Sequence, residues 1–259
     1  TATLEFEVEP ATAAAIPCAL DSLARVSSER VRDELMKLLA APRPSVGLEL
    51  AQSTGVLGVV LPELDPAVGL TQNRHHVFDV WEHTLATVDA TTGDPIRRLG
   101  ALLHDVGKPK VAAPRPAAEG ENTFYRQDSV GALLAEDILR RLRFSNRDRE
   151  RVVAMVARHM FLYTPEWTDA TVRRFLARVG TELLPDLLAL READVIGRGL
   201  GEDPERELSG LRRRIDEVLA ADQALSVADL AIGGKDVMAV VGASPGPWVG
   251  QVLRALLER

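Results

Sequence analysis

Histidines and carboxylates at the ends of apolar helical segments are the residues of this sequence best suited to chemistry. The pair His104–Asp105 closes the apolar run of residues 99–103 (LGALL) and is followed by residues 106–109 (VGKP). Glycine and proline in such positions end helices. A buried imidazole beside a buried carboxylate needs a compensating charge, which a divalent cation supplies. The pair therefore predicts a metal site at the end of a buried helix.

Two further side chains have the spacing needed to join that pair. His83 lies three residues after Val80 and four before Thr87, beside the inward stripe of a predicted helix, where a hydrogen-bonded core histidine is the alternative. Asp194 follows Leu190 by four residues, so a carboxylate faces the buried side of another helix, and a metal or an arginine must meet it. The expected ligands are His83, His104, Asp105 and Asp194. This mixed donor set suits one divalent ion of Mn, Ni, Co, Fe, Zn or Mg.

A run of arginines is the densest basic stretch of the chain. Acidic residues interleave with it, so an ordinary solvated surface and a contact with RNA phosphates both stay open. The arginines are Arg140, Arg141, Arg143, Arg147, Arg149 and Arg151.

The elements that must position these side chains are predicted to be helices. Alanine, leucine, valine, glutamate and arginine dominate the composition, and aromatic residues make up only 4%. Proline and glycine stops divide the chain into short helices over residues 1–70, a helical core over residues 71–200 that contains all five histidines, and a helical tail over residues 201–259. We predict an all-α fold in which residues 113–122 form an exposed loop.

Composition and charge exclude several classes of function. The net charge of −7 disfavours a protein that coats nucleic acid through bulk charge, although a local basic face stays open. No apolar run approaches the roughly 18 residues of a membrane span, and no signal peptide is evident. The single cysteine cannot form an intrachain disulfide. We therefore expect a cytoplasmic protein without a membrane partner.

Taken together, the motifs resemble the HD phosphohydrolase superfamily. The resemblance rests on residues 78–84 (FDVWEHT), residues 101–109 (ALLHDVGKP) and the later Asp194. More narrowly, the chain resembles the C-terminal two-thirds of bacterial CCA-adding tRNA nucleotidyltransferases that carry an HD domain. The segments that look like the RNA-binding neck and the tail of that family are residues 6–10 (FEVEP), 26–35 (VSSERVRDEL), 230–236 (LAIGGKD) and 245–253 (PGPWVGQVL). The predicted fold is thus an HD-type helical core with a helical neck and tail.

Two departures from the family pattern bear on function. The polymerase head of the family carries a Gly-Ser pair followed by paired carboxylates, and no such arrangement occurs here, so this chain by itself is not expected to add nucleotides. The family usually has a histidine after the Phe–Tyr pair that follows the HD loop, whereas Phe124 and Tyr125 precede Arg126 and Gln127. A neutral glutamine is a poor metal ligand, which favours one bound metal over two.

The resemblance implies metal-dependent hydrolysis of phosphate esters, with 2′,3′-cyclic phosphates, 2′-nucleotides or an RNA 3′ end as substrate. A bound metal would lower the pKa of its water towards about 7 and polarise a phosphoryl oxygen. The residues assigned to catalysis are Asp105, Lys108 and His76. The residues assigned to substrate binding are Lys108, His76, His159, Gln127 and Arg126. Core packing of His159 and a solvated helix end for Lys108 are the alternatives.

Two other functions stay open. The chain could be an RNA- or tRNA-binding module that grips its ligand through neck and tail, with a structural or vestigial HD site. It could also be a subunit of a split tRNA nucleotidyltransferase whose catalytic head is a separate chain.

Overall fold

α-Helices account for nearly all of the regular structure, which confirms the predicted all-α fold. The computed structural model describes residue 2 and residues 6–115, 120–220 and 230–257. Within these ranges the strands are two residues long: β1 (Ala113–Pro114) pairs antiparallel with β2 (Asn122–Thr123). They form the ends of the segment that was predicted to be an exposed loop.

The helices differ in length from four to 17 residues. In chain order they are α1 (Pro10–Ala15), α2 (Leu20–Leu23), α3 (Ser28–Leu39), α4 (Pro44–Ser53), α5 (Val56–Val60), α6 (Val80–Ala90), α7 (Pro95–Leu103), α8 (Lys108–Val111), α9 (Gln127–Arg141), α10 (Asn146–Arg158), α11 (Asp169–Val179), α12 (Leu184–Gly197), α13 (Pro204–Ala220), α14 (Gly234–Val241) and α15 (Pro247–Leu257). Short 3₁₀ turns occur at Ile16–Ala19 and Asp65–Ala67. Among the described residues, no helix is long and apolar enough to cross a membrane.

The chain forms two compact units. The first comprises Thr1–Phe161 and Asp186–Pro204, and the second comprises Leu162–Pro185 and Glu205–Arg259. The predicted division near residues 70 and 200 follows segments of sequence rather than compact units, and it stays a prediction.

Each unit has an apolar interior made by helical faces. Buried side chains recur at three- and four-residue spacing, which is the pattern of a helix with one face in a core. In the first unit these include Leu99, Leu102 and Leu103 of α7 and Val152, Met155 and Val156 of α10. In the second unit they include Val172, Phe175 and Leu176 of α11 and Leu208, Leu211 and Ile215 of α13.

Side-chain caps begin the helices that lead to the candidate site. The Asp79 carboxylate accepts a hydrogen bond from the Glu82 backbone N–H at 2.7 Å, and the Glu82 carboxylate accepts one from the Asp79 N–H at 3.3 Å. This capping box starts α6. Asp94 and Ser145 cap α7 and α10 through backbone N–H groups in their first turns. The start of each helix sets which face its later residues present.

A close approach of two backbones joins α9 to the segment that follows the His–Asp pair. A Cβ atom on Gly107 would overlap the carbonyl oxygen of Gln127 and the backbone of Gly131. Backbone atoms cannot rotate aside as the end of a side chain can, so glycine is required at this contact.

We expect Gly107→Ala to lower the free energy of unfolding by about 1–3 kcal/mol, because the added methyl group forces these backbones apart. Urea denaturation followed by circular dichroism measures the change. The matched control is Gly58→Ala in α5, where a Cβ atom meets only the Asp65 carboxylate, at 3.5 Å. This control should be neutral or slightly stabilising through helix propensity. Equal stability of the two variants would contradict the close approach.

Candidate metal centre

Two helices and two helix ends bring the predicted ligands and His159 together. His83 lies in the first half of α6, and Asp194 lies in the last turn of α12. His104 directly follows the last residue of α7, and Asp105 comes next in the turn before α8. His159 directly follows α10 in the same manner as His104 follows α7. The apolar residues before each of these positions pack in the core, so their polar ends converge inside the first unit.

The donor atoms of the four predicted ligands lie within a few ångströms of one another. His83 Nε2 is 3.2 Å from His104 Nε2 and 3.2 Å from Asp194 Oδ1. Asp105 Oδ2 is 3.4 Å from His83 Nε2 and 3.0 Å from His104 Nε2. The donor atoms of His83, His104 and Asp194 all fall within 4.8 Å of one another. The site is buried, with His83 fully excluded from solvent.

Backbone carbonyl groups orient two of the imidazole rings. His104 Nδ1 lies 2.6 Å from the carbonyl oxygen of Ala101, and His159 Nδ1 lies 2.7 Å from that of Val156. A carbonyl only accepts, so Nδ1 carries a proton in each ring, and Nε2 is the nitrogen left to bind a metal or a second proton. His159 Nε2 is buried and has no hydrogen-bond partner among the described residues. This is the tautomer and orientation that a metal-binding histidine requires.

Cationic side chains of the protein pair with both carboxylates. Asp194 Oδ2 accepts from Arg191 at 3.1 Å and from Arg198 at 3.4 Å, which leaves Oδ1 directed at His83. Lys108 Nζ lies 2.6 Å from Asp105 Oδ2. The sequence predicts that a metal or an arginine meets the Asp194 carboxylate, and the structure shows Arg191 and Arg198 in that position.

The charges of the cluster shift the pKa values of its members. Burial lowers the pKa of His83, but hydrogen bonds with Asp105 and Asp194 outweigh it and raise this pKa to about 9. Burial opposes ionisation of both carboxyl groups, yet His104 and Lys108 hold the pKa of Asp105 well below its ordinary value. His83 lowers the pKa of Asp194 in the same way. The site therefore carries two ionised carboxylates at neutral pH.

The remaining predicted site residues differ in how closely they approach this cluster. The ring of His76 packs edge-on against His83 with centroids 5.0 Å apart, and burial followed by the charge of Lys108 lowers the pKa of His76 to about 3. His159 Nε2 lies 3.8 Å from Asp105 Oδ1.

Gln127 and Arg126 differ sharply in their surroundings. Gln127 is buried, and its side-chain amide donates to Met160 Sδ at 3.3 Å. Arg126 is exposed in a left-handed conformation, with φ of 64°, directly before α9.

Sequence reasoning missed several residues that support the cluster. Lys108 Nζ donates to the side chain of Gln72 at 2.5 Å, a contact that no local pattern predicts. Arg191 and Arg198 could have been found, because they flank Asp194 at three and four residues on the same helical face. Gly197 was missed too: a Cβ atom there would overlap Thr87 Oγ1 beside His83, so α12 meets α6 closely.

The donor set fits a divalent cation. Two imidazole nitrogens and two carboxylates are a common environment for first-row transition metals, and they surround a point shielded from water. The ion pair between Lys108 and Asp105 competes with a metal for the same oxygen. At Asp194 Oδ1 the competitor is the proton of His83, 3.2 Å away, which a metal would displace.

Two family models match the chain. Residues 5–68 match the model titled "Probable RNA and SrmB-binding site of polymerase A". Residues 129–259, just over half of the chain, match the model of tRNA nucleotidyltransferase domain 2.

Similar proteins add nucleotides to tRNA, according to their names. The A-adding tRNA nucleotidyltransferase of Deinococcus radiodurans is 39% identical over 267 residues, covering 99% of this chain and 61% of that protein. The CC-adding tRNA nucleotidyltransferase of Thermus thermophilus is 42% identical over 236 residues, covering 89% of this chain and 52% of that protein. The present chain therefore spans about half to three fifths of the length of these relatives.

A solved structure has the same fold. The crystal structure of the Bacillus stearothermophilus CCA-adding enzyme in complex with CTP aligns with a TM-score of 0.64 at 24% identity, over 99% of this chain and 53% of that one.

The prediction that this chain is an HD-type metal-dependent phosphohydrolase is wrong, because its relatives are tRNA nucleotidyltransferases, which are transferases. The contacts give a physical reason. Lys108, which was predicted to neutralise a substrate phosphate, is buried and paired with Asp105. Asp105, Lys108 and His76 were predicted to catalyse that hydrolysis. With the reaction corrected, their catalytic roles stay untested predictions.

The family assignment follows from the extent of these matches. One model covers the second half of the chain, a polymerase RNA-binding model covers its beginning, and the named relatives align along most of its length. This chain belongs to the tRNA nucleotidyltransferase family and corresponds to the C-terminal part of such an enzyme.

Proposed function

We propose that this chain is the tRNA-binding part of a tRNA nucleotidyltransferase. It holds the tRNA while a nucleotidyltransferase domain, on the same polypeptide or on a separate chain, adds nucleotides to the 3′ end. The observation that carries this proposal is the pair of family matches, an RNA-binding model at residues 5–68 and a nucleotidyltransferase second-domain model at residues 129–259. The absence of a Gly-Ser pair with paired carboxylates from this sequence agrees with a role in binding rather than in nucleotide addition.

The structure separates the arginine run into paired and unpaired members. Four of the six are held by carboxylates: Arg140 and Arg149 by Glu136, Arg141 by Glu63, and Arg151 by Asp94 and Asp186. Arg143 and Arg147 are exposed and make no ion pair within the described part of the chain. An unpaired exposed guanidinium can bind a phosphate without first losing a partner, so these two are the arginines best suited to RNA.

The backbone at Arg143 brings a third cation to the same place. Arg143 has a positive φ of 60° in the turn between α9 and α10, and its carbonyl oxygen accepts a hydrogen bond from Arg32 Nη1 at 2.6 Å. Arg32 belongs to α3, inside the segment that matches the RNA-binding model. The guanidinium of Arg32 is also paired with Asp33 at 2.8 Å, so Arg32 joins the two elements while Arg143 and Arg147 supply the unpaired charge. Residues from both family matches thus meet at one surface, which we name the Arg143 surface (Arg32, Arg143 and Arg147).

We expect the double variant Arg143→Gln/Arg147→Gln to bind tRNA about tenfold more weakly at low salt, because two phosphate contacts are lost. The slope of log K against log salt concentration should fall by about 1.5–2. Fluorescence anisotropy of a labelled tRNA without its terminal CCA, measured at several KCl concentrations, gives both quantities.

Arg140→Gln is the matched control for this experiment. It removes an arginine of the same run that Glu136 holds at 2.8 Å, so tRNA affinity should change little. An equal loss in the control and the double variant would mean that only net charge matters. Unchanged binding by the double variant would remove the Arg143 surface from the proposal, and failure of the unmodified chain to bind tRNA would refute the proposal itself.

We also propose that His83, His104, Asp105 and Asp194 hold one divalent cation in a structural role. Such a cation, when bound, neutralises the two buried carboxylates and ties α6 and α12 to the turn after α7. Support comes from the facing Nε2 atoms of His83 and His104 and from the inward-facing oxygen of Asp194. His76, His159 and Lys108 contact residues of the cluster, whereas Gln127 is buried beside Met160 and Arg126 is exposed.

The raised pKa of His83 predicts how stability depends on pH. Its value of about 9, against an ordinary 6.5, stabilises the folded protein fully below pH 6.5, and this contribution is lost as the pH rises through 9. We therefore expect the free energy of unfolding in EDTA to fall between pH 6.5 and 9, with a slope approaching about 1.4 kcal/mol per pH unit. A bound Ni²⁺ or Zn²⁺ ion replaces the proton and should flatten the slope, as measured by urea denaturation.

Two histidine variants serve as controls for the pH effect. His83→Gln should lose the slope in EDTA, and His75→Gln, which changes an exposed histidine outside the cluster, should keep it. Identical curves with and without added metal, together with no metal bound after dialysis, would refute the metal centre while leaving the tRNA proposal intact.

A further inference from the structure

One buried carboxylate joins three helices at the end opposite to the metal centre. Asp186 lies in the first turn of α12 and is 5% exposed. Its Oδ2 accepts from Arg151 Nε at 2.6 Å, and its Oδ1 accepts from Arg151 Nη2 at 2.8 Å and from Arg97 Nε at 2.9 Å. Arg97 belongs to α7 and Arg151 to α10. We name this group the Asp186 clamp (Asp186, Arg97 and Arg151).

The three residues of the clamp precede three residues of the cluster by nearly the same distance along the chain. His104 follows Arg97 by seven residues, and His159 follows Arg151 by eight. Asp194 follows Asp186 by eight. Seven or eight helical residues are two turns, or about 10–12 Å along the axis. All three helices therefore run in the same chain direction from the clamp to the cluster.

The core-facing sides of the segments between clamp and cluster are apolar. The intervening residues of α7, α10 and α12 include buried Leu102, Val156 and Leu190. Apolar contacts are not directional, so they tolerate small shifts of one helix along another better than hydrogen bonds do. The charged hydrogen bonds of the clamp are directional and short, and Arg151 binds Asp186 through two parallel bonds. The clamp therefore has the directional polar contacts that can set the axial position of these helices relative to one another.

We propose that Asp186 is a positioning residue for the metal centre: through Arg97 and Arg151 it fixes where α7 and α10 end, and hence where His104, His159 and Asp194 meet. This inference rests on the proposed metal centre. Supporting groups of metal ligands typically change metal affinity ten- to hundredfold when they are removed, although they touch no metal.

The test measures Co²⁺ binding by the whole chain. Asp186→Asn keeps the shape of the side chain but loses its charge, and we expect it to bind Co²⁺ about ten- to hundredfold more weakly, with a changed visible absorption spectrum. Arg97→Lys keeps the positive charge but loses the planar guanidinium, and it should shift affinity in the same direction. This second variant keeps the proposal testable if Asp186→Asn does not fold.

Two controls separate positioning from a general loss of stability. Asp94→Asn alters the half-exposed second partner of Arg151, and an asparagine still caps α7. Leu48→Ala opens a cavity in the buried face of α4, away from the clamp. Both should bind Co²⁺ like the unmodified protein. Unchanged Co²⁺ affinity in a folded Asp186→Asn or Arg97→Lys protein would overturn the proposal.

A second readout does not depend on metal. Long-range ¹H–¹⁵N spectra of the imidazole rings, recorded in EDTA, report which nitrogen carries the proton. We expect the Nδ1–H form of His104 and His159 in the unmodified protein and altered signals of both rings in Asp186→Asn. If the unmodified protein binds no Co²⁺, the metal centre fails, and the clamp is still supported by these altered signals. Unchanged ring signals in both clamp variants would overturn it.

Discussion

The burial of two ionised carboxylates at the meeting point of helix ends is the constraint on which the first unit depends. Asp105 and Asp194 cannot lose their hydration without compensation, since an unpaired buried charge costs several kcal/mol. The compensation comes from the imidazole of His83, from Lys108 and from the arginines that flank Asp194. These partners lie on different elements, so every helix that reaches the cluster must end at the correct residue and face the correct way.

The same pairing of charges makes the site poorly suited to binding a phosphate substrate. A phosphate substrate needs free positive charge, but the cationic side chains closest to the cluster are already engaged with its own carboxylates. The same arrangement suits a structural role, in which a proton or a divalent cation balances a fixed negative charge. α10 connects the cluster with the proposed RNA-binding surface: Arg147 lies in its first turn, and His159 directly follows its last. The proposed metal centre and the proposed RNA-binding surface therefore lie at the two ends of the same helix.

Much of the fold and of the donor set could be predicted from local pattern. The sequence predicts His83 and Asp194 as ligands because each falls on the buried side of an apolar helix, and both lie in the cluster with His104 and Asp105. Helical periodicity carries that information because the helix repeat is the same in every context. The predicted phosphohydrolase activity is wrong. The sequence motif indicates which histidines and carboxylates come together, but it does not indicate which cationic side chains already neutralise those carboxylates. Lys108 was predicted to face a substrate, whereas it contacts Asp105 and Gln72.

The sequence by itself determined the all-α class and the residues that are directed inward, because both depend on spacing within one helix. Only the tertiary structure decided the pairing of charges between helices. Arg97 meets Asp186 across 89 residues of chain, and Arg151 meets the same carboxylate across 35. Six arginines in one run look alike in sequence, yet Arg151 is locked into the clamp and Arg143 is left exposed. Such a difference arises from where distant helices come together in space, and spacing along the chain does not encode it.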